Sequence, residues 1–361
     1  MEFLLEGLLG ITWKTVVMWA LGALLIYLAI RKEMEPTLLL PIGFGAILVN
    51  IPGVNFGALQ TLYDAGIANE RFPLLRFIGL GAMRDFGPLL SNPKLMIFGA
   101  AAQFGIFMTL CLASMFFDIN DAASIAIIGA ADGPSAIAVA IALGSKYLGA
   151  IMVAAYSYMA LVPIIQPPII KLLTTKKERR IRMEYKPATV SKRTRILFPI
   201  VILMIAALVA PGSAELIFFL MFGNLIRECG VLNSLSETAQ NVLANLVTIF
   251  LGISIASQME AEKFLAPETL LILGLGLFAF VFDTAGGVLF AKFLNLFLKK
   301  KINPMIGAAG ISAFPMAGRI VHKLGQEEDK YNFLLMHSIG VNVSGQIASV
   351  IASGLILGFF G

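Results

Sequence analysis

Apolar runs begin at Trp13 and recur to the last residues, and this one feature limits the chain more than any motif does. A run approaching 20 residues fits the hydrocarbon of a bilayer, where backbone N–H and C=O groups must be satisfied within the segment itself. Hydrophobic residues make up 58% of the chain and charged ones 14%, against about 45–50% and about 25% in soluble domains. The expected fold class is an all-α polytopic membrane protein forming one membrane-embedded body. No stretch is long or polar enough to predict a separate soluble catalytic domain. The opening segment has neither a basic n-region nor a small-residue cleavage site before a short apolar core, so residues 1–35 are read as an N-terminal transmembrane helix centred on Trp13–Ile30.

The net charge of +5 suggests a nucleic-acid partner only until its position is seen. Thr174–Arg195 holds nine Lys or Arg and two Glu, a balance of +7 on its own. By the positive-inside rule residues 174–195 form a basic cytoplasmic linker, with a soluble partner or lipid headgroups as a second use. No nucleic-acid partner is expected; the lipid bilayer is. Cys111 and Cys229 stand alone in or beside apolar runs and suggest neither a disulfide nor a metal site.

Several runs are interrupted. Thr37–Asn50 meets Ile51-Pro52-Gly53 before a full span, and is expected to be short, tilted or re-entrant. Gly57–Leu90 scatters Arg71, Arg76, Arg84 and Asp85 among apolar residues, as in a helix that lies on the surface or lines a polar interior. Leu95–Phe117 reads as a plain span. Tyr147–Leu173 contains Pro163, Pro167 and Pro168, and beyond the basic linker Pro211-Gly212 breaks another run. Asn303–Val321 is rich in Gly and Pro, and Tyr331–Phe360 sets His337, Asn342, Ser344 and Gln346 in apolar surroundings.

The two halves repeat one theme. Ile128-Gly129-Ala130-Ala131 matches Ile306-Gly307-Ala308-Ala309, and Phe44-Gly45 matches Phe222-Gly223, both at an offset of 178. Lys146-Tyr147 matches Lys330-Tyr331 at 184. Paired Gly/Pro-interrupted segments in two halves are the mark of a repeat transporter. Residues 36–173 and 196–361 are therefore expected to be two inverted membrane repeats, whose broken, re-entrant-type helices meet near the bilayer midplane.

Asp132 is the first functional candidate. It stands in small apolar sequence and is followed by Gly133 and Pro134, which disfavour an unbroken helix. An ionisable group at bilayer depth costs a few kcal/mol or more, and freed backbone groups need partners, so a cavity, ion or substrate is expected to use both. Carbonyls at a broken helix end beside a carboxylate suit a hard cation such as Na+, or a proton. The plainer alternative is pairing with a buried Arg or Lys. In the second broken segment Asn303 and Gly307 are four apart, and Ser312 and Arg319 seven apart, so each pair shares a face if helical. Asn303 and Ser312 offer neutral oxygens, or serve as interhelical hydrogen bonds worth about 0.6 kcal/mol each. Arg319 suits an anion, or with His322 and Lys323 nearby anchors the helix at the cytoplasmic face. Tyr158 and Asn342 would complete a polar cluster.

Three stretches, Gly129–Pro134 (GAADGP), Asn303–Arg319 (NPMIGAAGISAFPMAGR) and Asn332–Ser349 (NFLLMHSIGVNVSGQIAS), resemble the β subunits of the biotin-dependent, sodium-translocating decarboxylases. That family comprises the oxaloacetate, methylmalonyl-CoA, glutaconyl-CoA and malonate enzymes, and the likeness runs from about Pro36 onward. It implies a carboxybiotin decarboxylase subunit that couples CO2 release to Na+ export with proton consumption; a secondary Na+/H+ or Na+/carboxylate transporter is the alternative. It implies Asp132, Tyr158 and Arg319 as catalytic, with Arg319 also meeting the carboxybiotin. It further implies Asp132, Asn303, Ser312 and Asn342 as Na+ ligands, and Gly129, Gly133, Pro134 and Gly307 as shaping the site. The cofactors implied are Na+ and carboxybiotin carried on a partner protein. The implied partners are a carboxyltransferase α subunit, the biotin carrier protein, a small membrane γ or δ subunit and further copies of the chain, in a bacterial or archaeal cell membrane. Ser135 replaces the family's common Thr after Asp-Gly-Pro and keeps the hydroxyl, and Val341 stands where Pro is usual.

Overall fold

A computed structural model describes residues 9–54, 56–185 and 189–361; the first eight residues of the expected first helix and Lys186 of the basic linker lie outside the described residues. Among the described residues the secondary structure is helical throughout. Six helices are long and apolar enough to cross a membrane: α1 (Trp13–Arg31), α5 (Pro93–Ala113), α8 (Leu148–Leu173), α11 (Asn233–Ala256), α12 (Pro267–Phe297) and α15 (Leu335–Phe360). Between them lie α2 (Pro36–Val49), α3 (Gly57–Gly66), α4 (Arg71–Met83), α6 (Ile119–Ala130), α7 (Gly133–Ala142), α9 (Lys192–Val209), α10 (Ala214–Glu228), α13 (Met305–Ala308) and α14 (Met316–Glu328). The all-helical membrane architecture is as expected, and α2 is short: 14 residues rise about 21 Å.

One expectation is corrected: Leu95–Phe117 holds the span α5, but not a plain one, because α5 is interrupted at Ala102 and Gln103, where the Gln103 amide donates to the Gly99 carbonyl (2.9 Å). Tyr147–Leu173 keeps its three prolines within the continuous α8. In lipid the carbonyls that proline leaves free can be satisfied by neighbouring helices.

The two breaks that matter form hairpins. At the base of the first, Asp121 at the start of α6 accepts from the Ser145 hydroxyl (2.7 Å) and the Lys146 amide (3.1 Å) beyond α7. At the base of the second, the Arg179 carbonyl accepts from Asn303 (2.8 Å) and Asn332 (2.9 Å), while its guanidinium pairs with Glu328 at the end of α14 (2.6 Å). Their tips meet: the Ser312 amide and hydroxyl both donate to the Ala130 carbonyl, at 3.0 and 3.1 Å. Both bases therefore lie away from a shared crossing point, and one of them is held by the basic linker.

Helix order runs in step through the halves: α1–α2 and α9–α10 are packed pairs, α5 and α12 precede the hairpins, and α8 and α15 follow them. Packing is exchanged between halves, since α2 packs on α11 and α10 on α4. Lipid tails are as apolar as leucine, so such packing depends on close backbone approach at small residues. Gly287 of α12 and Gly307 of α13 illustrate it, as a Cβ on either would clash with the other's carbonyl oxygen. Large apolar side chains remain on the outside, Leu197, Val201, Met204, Ile205 and Leu208 of α9 among them, as on a lipid-facing helix.

Candidate functional site

The crossing of the hairpin tips carries the chemistry. Ala131 takes a left-handed conformation (φ 52°), ending α6, and Asp132 follows as the residue before α7. Pro134 sits in the first turn of α7, where its missing N–H costs no hydrogen bond. Gly133 has no Cβ because the Tyr156 ring packs against it, and Gly129 because Ala279 and Asp283 of α12 do. These contacts fix where the Asp132 carboxylate points.

Asp132 is 3% exposed. Its Oδ2 accepts from the Ser135 hydroxyl (2.8 Å), the Gln346 amide (2.6 Å) and the Ser349 hydroxyl (3.4 Å). Ser349 also meets the Ser312 hydroxyl at 3.1 Å. The Asp132 carboxylate, the hydroxyls of Ser135, Ser312 and Ser349 and the Ala130 carbonyl thus form one connected set of oxygens built from both hairpins and α15. A serine hydroxyl can turn from donor to acceptor, so the set offers a hard monovalent cation neutral oxygens around one negative charge. Among the described residues no group of His, Cys, Asp or Glu suits a transition metal.

Asn342 braces the second tip. Its amide nitrogen donates to the Ala309 and Ile311 carbonyls (3.0 and 2.6 Å), while its Oδ1 is buried without a partner. Three other expected residues sit apart. Asn303 lies at the base of the second hairpin, donating to the Arg179 and Ile181 carbonyls. The Tyr158 hydroxyl donates to the Leu273 carbonyl of α12. Arg319 is exposed on α14, where its charge reaches Glu35. Ser312 lies in the non-helical tip, so it does not share a helix face with Arg319.

Sequence reasoning had not placed Ser135 or Ser349 here, nor the two further residues that complete the shell. Gln346 donates to Asp132 and accepts from Arg84, whose Nη2 lies 2.6 Å from its Oε1. Since a guanidinium only donates and a carboxylate only accepts, the orientation of that amide is settled by its neighbours. Arg84 is 1% exposed, and its guanidinium stacks 4.7 Å from the centre of the Phe314 ring at the second tip. Asp132 therefore does not pair with a buried arginine directly but through one glutamine. A sequence signal for this existed: Asn342, Gln346, Ser349 and Ser353 recur every three to four residues, which puts them on one face of α15.

At the basic linker, the hydrogen bond from Arg179 holds the Glu328 carboxyl below the usual carboxylate range, and that from Arg182 does the same for Asp329.

Comparison with known proteins follows the same lines. The sequence model of the Na+-transporting oxaloacetate decarboxylase beta subunit family matches residues 14–360. The methylmalonyl-CoA decarboxylase subunit beta of Veillonella parvula is 50% identical over 354 residues, covering 98% of this chain and 95% of the relative. The corresponding subunit of Propionigenium modestum is 47% identical, with 98% and 97% covered. The oxaloacetate decarboxylase beta chain of Haemophilus ducreyi is 46% identical, with 97% and 96% covered. A match of this extent, with both broken segments and the polar face of α15 inside it, makes the chain a member of the β-subunit family of Na+-transporting decarboxylases.

Proposed function

We propose that this chain is the membrane subunit that removes CO2 from carboxybiotin presented by a carrier protein and couples that step to Na+ export, consuming a proton. The observation that carries the reading is the Asp132 carboxylate joined to three serine hydroxyls and the Ala130 carbonyl where the hairpins cross, in a chain of this family. Na+ enters from the cytoplasmic side, held by Asp132 with Ser312 and its neighbours, while the Asn342 Oδ1 stands in reserve as a further ligand. The halves are inverted repeats, so reorientation turns the site to the other face. There a proton replaces Na+ at Asp132. That proton is consumed when the N–COO⁻ bond of carboxybiotin breaks, its electron pair staying on nitrogen, which becomes N–H as CO2 leaves.

Arg319, exposed on α14, meets the carboxybiotin or its carrier. Asn303 keeps the second hairpin shut at its base, and Tyr158 ties α8 to α12. The partners in this reading are a carboxyltransferase α subunit, the biotin carrier, a small γ or δ membrane subunit and further copies of the chain, in the cell membrane. In proteoliposomes, Na+ uptake should require carboxylated biotin carrier and stop in Asp132→Asn; a variant that still pumps would refute the role given to Asp132. Flux of Na+ with ions alone would mark a secondary transporter. Arg319→Ala should raise the carrier concentration needed for half-maximal rate, and unchanged carrier kinetics would remove Arg319 from the docking site.

A further inference from the structure

Arg84 is buried in a way that the pump cycle above does not use. It follows the last turn of α4, and Nη2 is spent on Gln346 while Nε and Nη1 have no partner. A guanidinium cannot shed its charge, so two unfilled donors in a dry site are costly and aim at something that accepts. Asp132 lies one amide away, across two hydrogen bonds of 2.6 Å each with the Gln346 side chain between them.

The donors themselves say what that acceptor is. Two unfilled guanidinium N–H groups in a buried site favour an anion over a neutral acceptor. An anion there also offsets part of the positive charge that Na+ brings to Asp132. We propose that Arg84 is the anion half of a paired site, its Nε and Nη1 taking a small oxyanion, the carboxylate of carboxybiotin or bicarbonate, that enters with the Na+ held at Asp132. The forked donors suit the two oxygens of a carboxylate, and the Phe314 face behind the guanidinium keeps it in place.

The pairing supplies a coupling device. The anion at Arg84 helps hold Na+ at Asp132 until reorientation lets a proton take its place. That proton passes from Asp132 to the biotin nitrogen as the N–COO⁻ bond breaks, and with CO2 gone Arg84 is again without its counter-charge, so a fresh Na+ is held weakly until the next oxyanion arrives.

The inference rests on Asp132 as the Na+ site, and one assay separates the two. Radiolabelled Na+ binding is measured on the full chain in lipid nanodiscs, in chloride and in bicarbonate. The unsubstituted chain should bind Na+ more tightly in bicarbonate. Arg84→Gln should bind Na+ more tightly in chloride, on the order of ten- to a hundredfold as the neighbouring charge is removed, and should lose the bicarbonate effect. Arg84→Lys, which keeps the charge, should stay weak in chloride, so a merely structural arginine is told apart. Equal Na+ binding in both salts, or weaker binding by Arg84→Gln, overturns the proposal. Asp132→Asn binding Na+ normally would instead overturn the Asp132 assignment. Carboxylated carrier protein tightening Na+ binding more than bicarbonate does would identify carboxybiotin as the source of the oxyanion.

Discussion

A methyl group at Gly307 tests whether the backbone contact behind the second hairpin positions the site. A Cβ added there would fall on the Gly287 carbonyl oxygen and carbon, and the reverse substitution on those of Gly307. Ordinary carbon–oxygen contact would need α12 and α13 to separate by roughly 1 Å. Neither obstacle is the end of a flexible side chain, so the strain cannot be relieved locally, and overpacking of this kind costs about 1–3 kcal/mol. Ser312 lies four residues beyond α13, and its bonds to Ala130, at 3.0 and 3.1 Å, have no slack for such a shift. Gly307→Ala should therefore lower both the resistance of the chain to denaturant in detergent and its affinity for Na+. Gly287→Ala should do the same. Because the two substitutions open one gap, the double variant should cost clearly less than the sum of the single ones. Additive losses, or a Gly307→Ala chain with unchanged stability and Na+ binding, would sink the argument.

Asn342→Leu should strip two hydrogen bonds from the second tip and leave the Ala309 and Ile311 carbonyls buried without donors, a loss of about 2–4 kcal/mol visible as weaker Na+ protection against proteolysis. Acid should loosen the basic linker. Glu328 and Asp329 have lowered folded-state values, so their support is fully present above the unfolded values of 4.5 and 3.8 and is lost as pH falls through the lower folded ones. Protease cleavage within Thr174–Arg195 should rise over that acid range in the unsubstituted chain. In an Arg179→Gln, Arg182→Gln chain it should already be high at neutral pH, and a flat pH profile in the unsubstituted chain would contradict the assignment.

What the sequence made legible was what local chemistry marks. Asp132-Gly133-Pro134 forecast a helix broken at a carboxylate, and the Gly/Pro-rich Asn303–Arg319 forecast its counterpart, because both signals are contained in a few adjacent residues. The nine basic residues of Thr174–Arg195 forecast a linker of its own kind. Less could be said where tertiary contacts decide. Pro163, Pro167 and Pro168 are absorbed into α8, whereas the unmarked Leu95–Phe117 carries a break. Helical spacing relates residues only while the helix lasts, which is why Asn303 and Ser312, separated by a turn, end at the base and at the tip of one hairpin. Arg84 and Gln346 are 262 residues apart, a separation that no local pattern spans.

Arg179 joins parts of the molecule usually treated as separate. Its carbonyl holds Asn303 and Asn332 on either side of the second hairpin, and its side chain holds Glu328 and the Thr174 carbonyl. The linker is thus the clasp of the hairpin whose far end touches Ala130. A shift of the linker therefore pulls directly on the base of the hairpin whose tip carries Ser312, so the linker and the hairpin crossing are joined through one residue.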